Sequence, residues 1–552
     1  MAPIPRPRTG GQILVDQLIA QGVTRAACVP GESYLAVLDA LHDASIDLIV
    51  CRQEAGATIM AEAEGKLTGR PGIAFVTRGP GATNGSHGVH IAMQDSTPLI
   101  MFVGQVERGT RGREAFQEID YPAMFGSIAK WAFQIDEAAR IPELVARAFR
   151  IAMQGRPGPV VIALPEDMLR ETASVADAPY VVAAESAPRA EDMEQVAALL
   201  SQARSPIAIV GGSRWSGAGI AAMEQAAVRH GIPVATSFRR SHLFNAAHSH
   251  YAGDLGIGPN PRLAERVRGA DLVLLIGGRL SEMPSSSYSM LDIPSPRQTL
   301  VHVHPSAEEL GRVYQPALAI NCPPSAFAVA LAALDGGGDC DAASRAHEEY
   351  IAWSETPLKV PGAFQYGDVM VWLRERLSAD AIIANGAGNY AGWIHRYYRF
   401  RRFGTQLAPT SGSMGYGVPA AIMAKRMYPE REVVCFAGDG CFLMNGQEFA
   451  TAVQYGTAVI FIVIDNGMYG TIRMHQERDY PGRVSGTALR NPDFAAYATA
   501  FGGHGERIER TEDFAPAFER AAATGLPAIL HCMLDPEAIT PARTLTQIRE
   551  NC

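Results

Sequence analysis

Two short glycine-bounded stretches in this 552-residue sequence have the residue types and spacing for ligand chemistry. Gly438-Asp439-Gly440 closes the apolar run "EVVCFAGDG" (432–440), and Asp465-Asn466-Gly467 closes "AVIFIVIDNG" (458–467). Asn466 follows Asp439 by 27 positions, room for a helix over "NGQEFATAVQYG" (445–456) and a returning strand. One strand–helix–strand unit would bring a carboxylate and an amide oxygen to the same rim, where open parallel sheets bind ligands beyond the carboxyl ends of their strands. Hard oxygen donors of this kind suit Mg²⁺ or Ca²⁺, and their low charge count calls for ligand phosphates to complete the shell. The glycines would let a diphosphate approach the backbone, and the following helix would offer N–H groups at its start. Gly-Asp-Gly alone also reads as an ordinary strand-to-helix turn. The spaced Asn-Gly argues for more.

The elements that must hold these loops read as short β-rich runs alternating with longer helical patterns. "DLIVC" (47–51), "GIAFVT" (72–77), "PLIMFVG" (98–104) and "PVVIALP" (159–165) are apolar on both faces, as fully buried parallel strands are. A Ser/Ala/Pro-rich stretch, "AAESAPRAED" (183–192), reads as a linker. A second set follows in "PIAIVGG" (206–212), "IPVAT" (232–236), "ADLVLLIGG" (270–278) and "TLVHVH" (299–304), ending near the glycine cluster "DGGGDCD" (335–341). A third comprises "AIIANGAG" (381–388), the two motif-bearing runs and "PAILHCML" (527–534). The expected fold class is α/β, with three doubly wound parallel-sheet domains in series.

Composition agrees with a soluble globular protein, and 552 residues exceed what one hydrophobic core supports, so several domains are expected. A net charge of −9 with no basic cluster excludes a nucleic-acid footprint. No run approaches the roughly 18 apolar residues of a membrane span, and the N-terminal segment reads as an amphipathic helix interrupted by Asp16 and Gln17 rather than a secretory leader. Eight cysteines (28, 51, 322, 340, 435, 441, 532 and 552) show no paired spacing, which fits buried thiols in a reducing, cytoplasmic compartment.

The chain also resembles a known family. "GDG" followed 27 residues later by Asn is similar to the diphosphate-and-metal motif of thiamine diphosphate (ThDP) enzymes. "QEAGATIMAEAEGKLTGRPGIAFVTRGPGATNG" (53–85), "GQVERGTRGREAFQEIDYPAM" (104–124), "GRPGPVVIALPEDM" (155–168) and "SGSMGYGVPAAIMAKRMYP" (411–429) resemble the acetolactate synthase group in order and spacing. The resemblance implies a pyrimidine-binding domain over 1–180, a central domain over 190–340, a diphosphate-binding domain over 355–540 and a C-terminal tail over 541–552. It implies ThDP and Mg²⁺ as cofactors, and a homodimer or homotetramer with each cofactor held between two chains.

By the same resemblance, Glu54 would hydrogen-bond a pyrimidine nitrogen and favour the tautomer that removes the thiazolium C2 proton. On local sequence alone, Glu54 is equally a first-turn residue complementing a helix dipole. Asp439, Asn466 and the backbone oxygen of Met468 would hold the metal. Pro30, Pro80, Asn84, Gly412, Met414, Gly438, Gly440 and Tyr469 would complete the cofactor site, Met414 bending the cofactor; a methionine is otherwise a gap-filling core residue. Phe116 and Gln117 would face the thiazolium and substrate, and Lys130 matches a pocket lysine; an isolated Gln or Lys is ordinarily a surface group. His87 and His90 read as structural residues of a helix.

Departures from the family pattern bear on specificity. "NYAGW" (389–393) keeps only Trp393 of the usual Gln-His-Gln-Met-Trp, and "RMHQERDY" (473–480) places His475, a candidate acid–base residue, where a tryptophan helps select the acceptor. Arg78 replaces a small residue and is a candidate anion group or a salt-bridge partner. Asp465 stands where many relatives carry asparagine. The central segment keeps Arg279 but lacks the Gly-Met-His-Gly and paired aspartates associated with FAD, leaving flavin open as a further cofactor. The expected function is formation of a C2 carbanion and enamine from a 2-keto acid in acetolactate-synthase-like decarboxylative carboligation. The alternatives are a non-oxidative 2-keto acid decarboxylase, a carboligase or lyase with another substrate, and a catalytically silent cofactor-binding regulatory subunit.

Overall fold

The computed structural model describes residues 6–550, so the first five residues and the last two, Cys552 among them, lie outside it. All twelve apolar runs form strands, and each set of four, joined by two further strands, makes a six-stranded parallel sheet. The first sheet runs Asp47–Val50, Arg25–Cys28, Gly72–Val76, Leu99–Gln105, Pro159–Pro165, Trp131–Gln134. Counted in chain order this is 2-1-3-4-6-5, and the third sheet repeats it: Gln406–Leu407, Ile382–Asn385, Val433–Gly438, Ile460–Asp465, Ala528–Met533, His504–Ile508. The second sheet has the order 3-2-1-4-5-6, with Tyr251–Leu255 and Leu318–Ile320 at its edges. A separate antiparallel pair joins Arg8–Thr9 to Thr172–Ala173. The expected fold class is therefore the observed one.

The strands are buried on both faces because helices cover both sides. Leu99–Gln105 and Pro159–Pro165 are buried at every position, each large apolar side chain contributing about 1.5–3 kcal/mol. Tyr34, Phe75 and Phe102 stack through the first sheet's core, with ring centroids 5.9 and 5.1 Å apart.

By compactness the chain divides into two units, the second of which holds two of the three sheets. The first contains the residues up to Ala184 together with two later insertions, 422–427 and 445–455. The second contains the other two sheets. Within the second unit these sheets are joined by backbone hydrogen bonds, from Ala246 N to Phe400 O (2.9 Å), and by side-chain ones, from Ser241 N to Gln406 Oε1 (2.8 Å) and from Arg239 Nη1 to Pro409 O (2.6 Å). The helix expected over 445–456 forms as a 3-10 turn, Gly446–Glu448, running into the α-helix Phe449–Gln454.

Candidate cofactor site

A cavity of about 240 Å³ opens at the carboxyl ends of the third sheet's strands. It lies where strand order reverses, between Ile382–Asn385 and Val433–Gly438, the switch point at which doubly wound sheets leave a crevice. Its lining includes Gly388, Asn389, Tyr390 and Trp393, then Gly412 and Met414, then Gly438, Asp439, Gly440 and Cys441, and finally Asn466, Met468, Tyr469 and Thr471. Gly438, Asp439, Gly440 and Asn466 of the two motifs thus line one cavity, while Asp465 and Gly467 do not. A Cβ on Gly440 would stand 2.5 Å from the Tyr469 ring, so the close approach of ring to loop requires glycine.

Asp439 begins a single helical turn, Asp439–Phe442, directly off its strand. Its carboxylate is buried and accepts from Gly440 N at 2.9 Å and from Asn491 Nδ2 at 2.7 Å. The same Asn491 nitrogen reaches Asp465 Oδ1 at 2.8 Å, and Asp465 Oδ2 lies 2.9 Å from His531 Nε2. Burial pushes Asp439 up to about 6, and the neighbouring Asp465 carboxylate adds to the rise against the two hydrogen bonds. Asp465 is held below the usual carboxylate range: burial opposes this, but His531, the Gly467 N–H and Asn491 outweigh it. Two acids of similar burial are thus separated by the donors each receives. The donor set at the rim, a carboxylate and an amide oxygen beside the Met468 backbone, has the hard-oxygen chemistry of a Mg²⁺ site.

In the first unit, Gln53 caps the helix Glu54–Thr68, its side chain accepting from Ala55 N (2.5 Å) and Gly56 N (3.4 Å). Glu54 is the first helical residue, and Asn84 Nδ2 donates to its Oε2 at 2.9 Å. Asn84 and Pro80 are exposed on the helix Gly79–Asp95, which begins after the strand Gly72–Val76. Pro30 follows the neighbouring strand Arg25–Cys28, so Pro30, Glu54 and Pro80 share that sheet's carboxyl edge. Gln117, at φ 66°, offers its backbone oxygen to Gly79 N at 3.0 Å, tying its loop to the start of that helix. Phe116 beside it is 73% exposed.

Three other expected residues do not line the cavity. Lys130 donates to the carbonyls of Ile151 and Gln154 at the end of the helix Ile141–Met153 and acts as a C-terminal cap. Arg78 is buried between Glu166 (2.8 Å) and Glu32 (3.3 Å), the salt-bridge role rather than an anion site. His475 sits one turn beyond Thr471 on the helix Gly470–Asp479 and is not among the cavity's lining residues. Sequence reasoning missed Asn491, His531, Cys441 and Thr471. Only the last two had a signal, their adjacency to "GDG" and "DNG".

The comparisons with known proteins cover the same segments. Residues 8–124 match the thiamine pyrophosphate enzyme N-terminal TPP binding domain, 193–331 the central domain and 386–532 the C-terminal TPP binding domain. The chain is 31% identical over 541 residues to an acetolactate synthase large subunit of Parasynechococcus marenigrum, covering 94% of this chain and 87% of that one. It belongs to the acetolactate synthase-like family of thiamine diphosphate enzymes. Acetolactate synthase isozyme 2 large subunit of Escherichia coli is 29% identical over 532 residues, 95% of each chain. Acetolactate synthase large subunit of Lactococcus lactis is 30% identical over 519 residues, 90% of this chain and 88% of that one. Family membership makes the cavity wall a thiamine diphosphate-binding domain. Among the described residues no helix is long and apolar enough to cross a membrane.

Proposed function

We propose that this chain is a ThDP- and Mg²⁺-dependent enzyme that decarboxylates a 2-keto acid and joins the remaining fragment to a second carbonyl compound, as an acetolactate synthase does. The observation that carries this reading is the convergence of Gly438, Asp439, Gly440, Asn466 and Met468 on one switch-point cavity. When bound, ThDP supplies a thiazolium carbon that adds to the keto-acid carbonyl and accepts the electron pair left by loss of CO2.

The chain's own residues divide the remaining work. Asp439, Asn466 and the Met468 carbonyl would hold the cation, and the glycine-flanked backbone would admit the diphosphate. Met414 would support the cofactor. Glu54, steadied by Asn84, would exchange a proton with the pyrimidine nitrogen. Pro30, Pro80 and Asn84 would border that ring, and Phe116 and Gln117 would face the substrate. Asn389, Tyr390 and Thr471 shape the acceptor end, where Thr471 Oγ1 donates to Asn389 Oδ1 at 2.9 Å. The protein acts as a cytoplasmic homodimer or homotetramer with sites completed between chains.

Flavin is outside this proposal. At the carboxyl end of the central sheet, the carbonyls of Gly211, Gly212 and Gly278 accept from Trp215 (2.8 Å), Arg240 (3.0 Å) and His302 (3.0 Å). A Cβ on Gly212 would stand 1.8 Å from Gly277 O, so these loops pack on one another.

Turnover of pyruvate with ThDP and Mg²⁺ tests the reading. Acetolactate without acetaldehyde supports it, acetaldehyde alone replaces it with a simple decarboxylase, and no product from a broad 2-keto acid panel removes the enzymatic assignment. A flavin absorption spectrum on the purified protein would return FAD to the site.

A further inference from the structure

The run that leads into Glu54 is held from outside its own sheet. Arg52 and Gln53 follow the edge strand Asp47–Val50, and their backbone N–H groups point at one buried side chain, Glu448. Its Oε1 accepts from Arg52 N and Gln53 N, both at 3.0 Å, and its Oε2 accepts from Arg52 N at 3.2 Å and from Thr451 Oγ1 at 2.6 Å. Glu448 is 0% exposed, and burial pushes its acid upward while these donors pull it back. The room for it comes from Gly56: a Cβ there would lie 2.5 Å from Glu448 Oε1.

The same segment holds the rest of the run. Tyr455 Oη accepts from Val50 N (2.8 Å) and donates to Leu48 O (3.2 Å), and Gln454 Oε1 accepts from Arg52 Nη2 (2.7 Å). Glu448 differs from these partners because it grips the two residues adjoining the helix start. Gln53, whose amide it holds, is also the residue whose side chain caps the helix that Glu54 opens. Without Glu448, two N–H groups lose their acceptor, and an unsatisfied buried donor costs about 1–3 kcal/mol.

Resting on the reading of Glu54 given above, we infer that Glu448 is a positioning residue for Glu54, fixing the Arg52–Gln53 backbone and thereby the direction in which the Glu54 carboxylate is presented. Glu448 follows Asp439 by nine positions, so one short stretch of sequence supplies both the cofactor-anchoring acid and the support of the activating one.

The test is hydrogen–deuterium exchange at cofactor C2 in the holoenzyme, with amide exchange at Arg52 and Gln53 and ThDP affinity measured alongside. Glu448→Ala should expose the two amides and slow C2 exchange about 10–100-fold, as small misplacements of an acid–base group do, with ThDP affinity within about threefold of wild type. Glu448→Gln, which keeps a carbonyl oxygen where Oε1 stands, should recover C2 exchange to within about threefold of wild type. Glu54→Gln/Glu448→Ala should exchange no more slowly than Glu54→Gln alone. Wild-type exchange in Glu448→Ala, or additive loss in the double variant, overturns the inference while a slow Glu54→Gln leaves the reading of Glu54 in place. Wild-type exchange in Glu54→Gln removes that reading itself. Should Glu448→Ala fail to fold, Thr451→Val withdraws the 2.6 Å donor from the same carboxylate, and an unchanged C2 exchange rate there overturns the inference equally.

Discussion

Asn491 lies 2.7 Å from Asp439 and donates to its Oδ2. The same nitrogen reaches Asp465, so one neutral amide stands between two buried carboxylates, of which Asp439 lines the cavity. Replacing Asn491 by Ala leaves those acids facing each other without a shared donor. Metal-dependent ThDP binding should weaken about 10–100-fold, the usual effect of losing an outer partner of a metal ligand. Asp439→Ala should abolish it. Calorimetric titration of ThDP with and without Mg²⁺ measures both; wild-type affinity in Asp439→Ala would remove the proposed metal site.

Glu54→Gln keeps the side chain's shape and its contact with Asn84 but not its proton chemistry. ThDP affinity should stay within about threefold of wild type, while turnover falls by about 10²–10⁴-fold, the range for a lost general acid–base group. A variant with normal turnover would assign Glu54 to helix capping alone.

Glu477 is fully buried on the helix Gly470–Asp479 and paired with Arg549 of the C-terminal helix Leu545–Glu550, at 2.6 and 3.1 Å. Arg549, the Gly482 N–H and Arg473 hold its acid down to about 2. A depressed folded-state value stabilises the protein above the ordinary carboxylate range, and that stabilisation is lost as pH falls toward about 2. Glu477→Gln should therefore lower Tm at pH 7, by an amount worth about 1–2 kcal/mol once solvent around the half-exposed Arg549 is allowed for. The difference from wild type should shrink below pH ~4. An equal difference at pH 7 and at the acid end would contradict the ion pair.

Lys130→Met removes a cation from the last carbonyls of the helix Ile141–Met153. The expected cost is about 1 kcal/mol, seen as a Tm lower by about 1 °C with KM for the keto acid unchanged. A raised KM at unchanged Tm would instead return Lys130 to the substrate pocket.

The strands that sequence reasoning found are those with apolar side chains on both faces. Of the strands it missed, the short pair Arg8–Thr9 and Thr172–Ala173 stands apart from the three sheets, and five of the six within those sheets lie at edges, among them His504–Ile508 with its exposed Arg507. The sixth, Arg25–Cys28, is interior but alanine-rich and four residues long. The motif residues were legible because a β-strand end and its loop are contiguous in sequence. Asn491 and His531 were not, since they reach Asp465 from other parts of the chain, and no local pattern records a hydrogen bond formed on folding. Lys130 shows the limit of such patterns, since a lysine capping a helix and a lysine in a pocket look alike in sequence.

The insertion of 445–455 into the first unit also bears on how the chain can be taken apart. A fragment ending at Ala184 would retain every strand of its sheet yet lack the acceptors for Val50, Arg52 and Gln53 and the Arg426 partner of Asp47. Gene dissection at that linker would therefore yield a piece with a frayed edge beside its own key acid. Three successive sequence blocks do not amount to three transplantable modules, and swaps between relatives should keep residues 445–455 with the first block they serve.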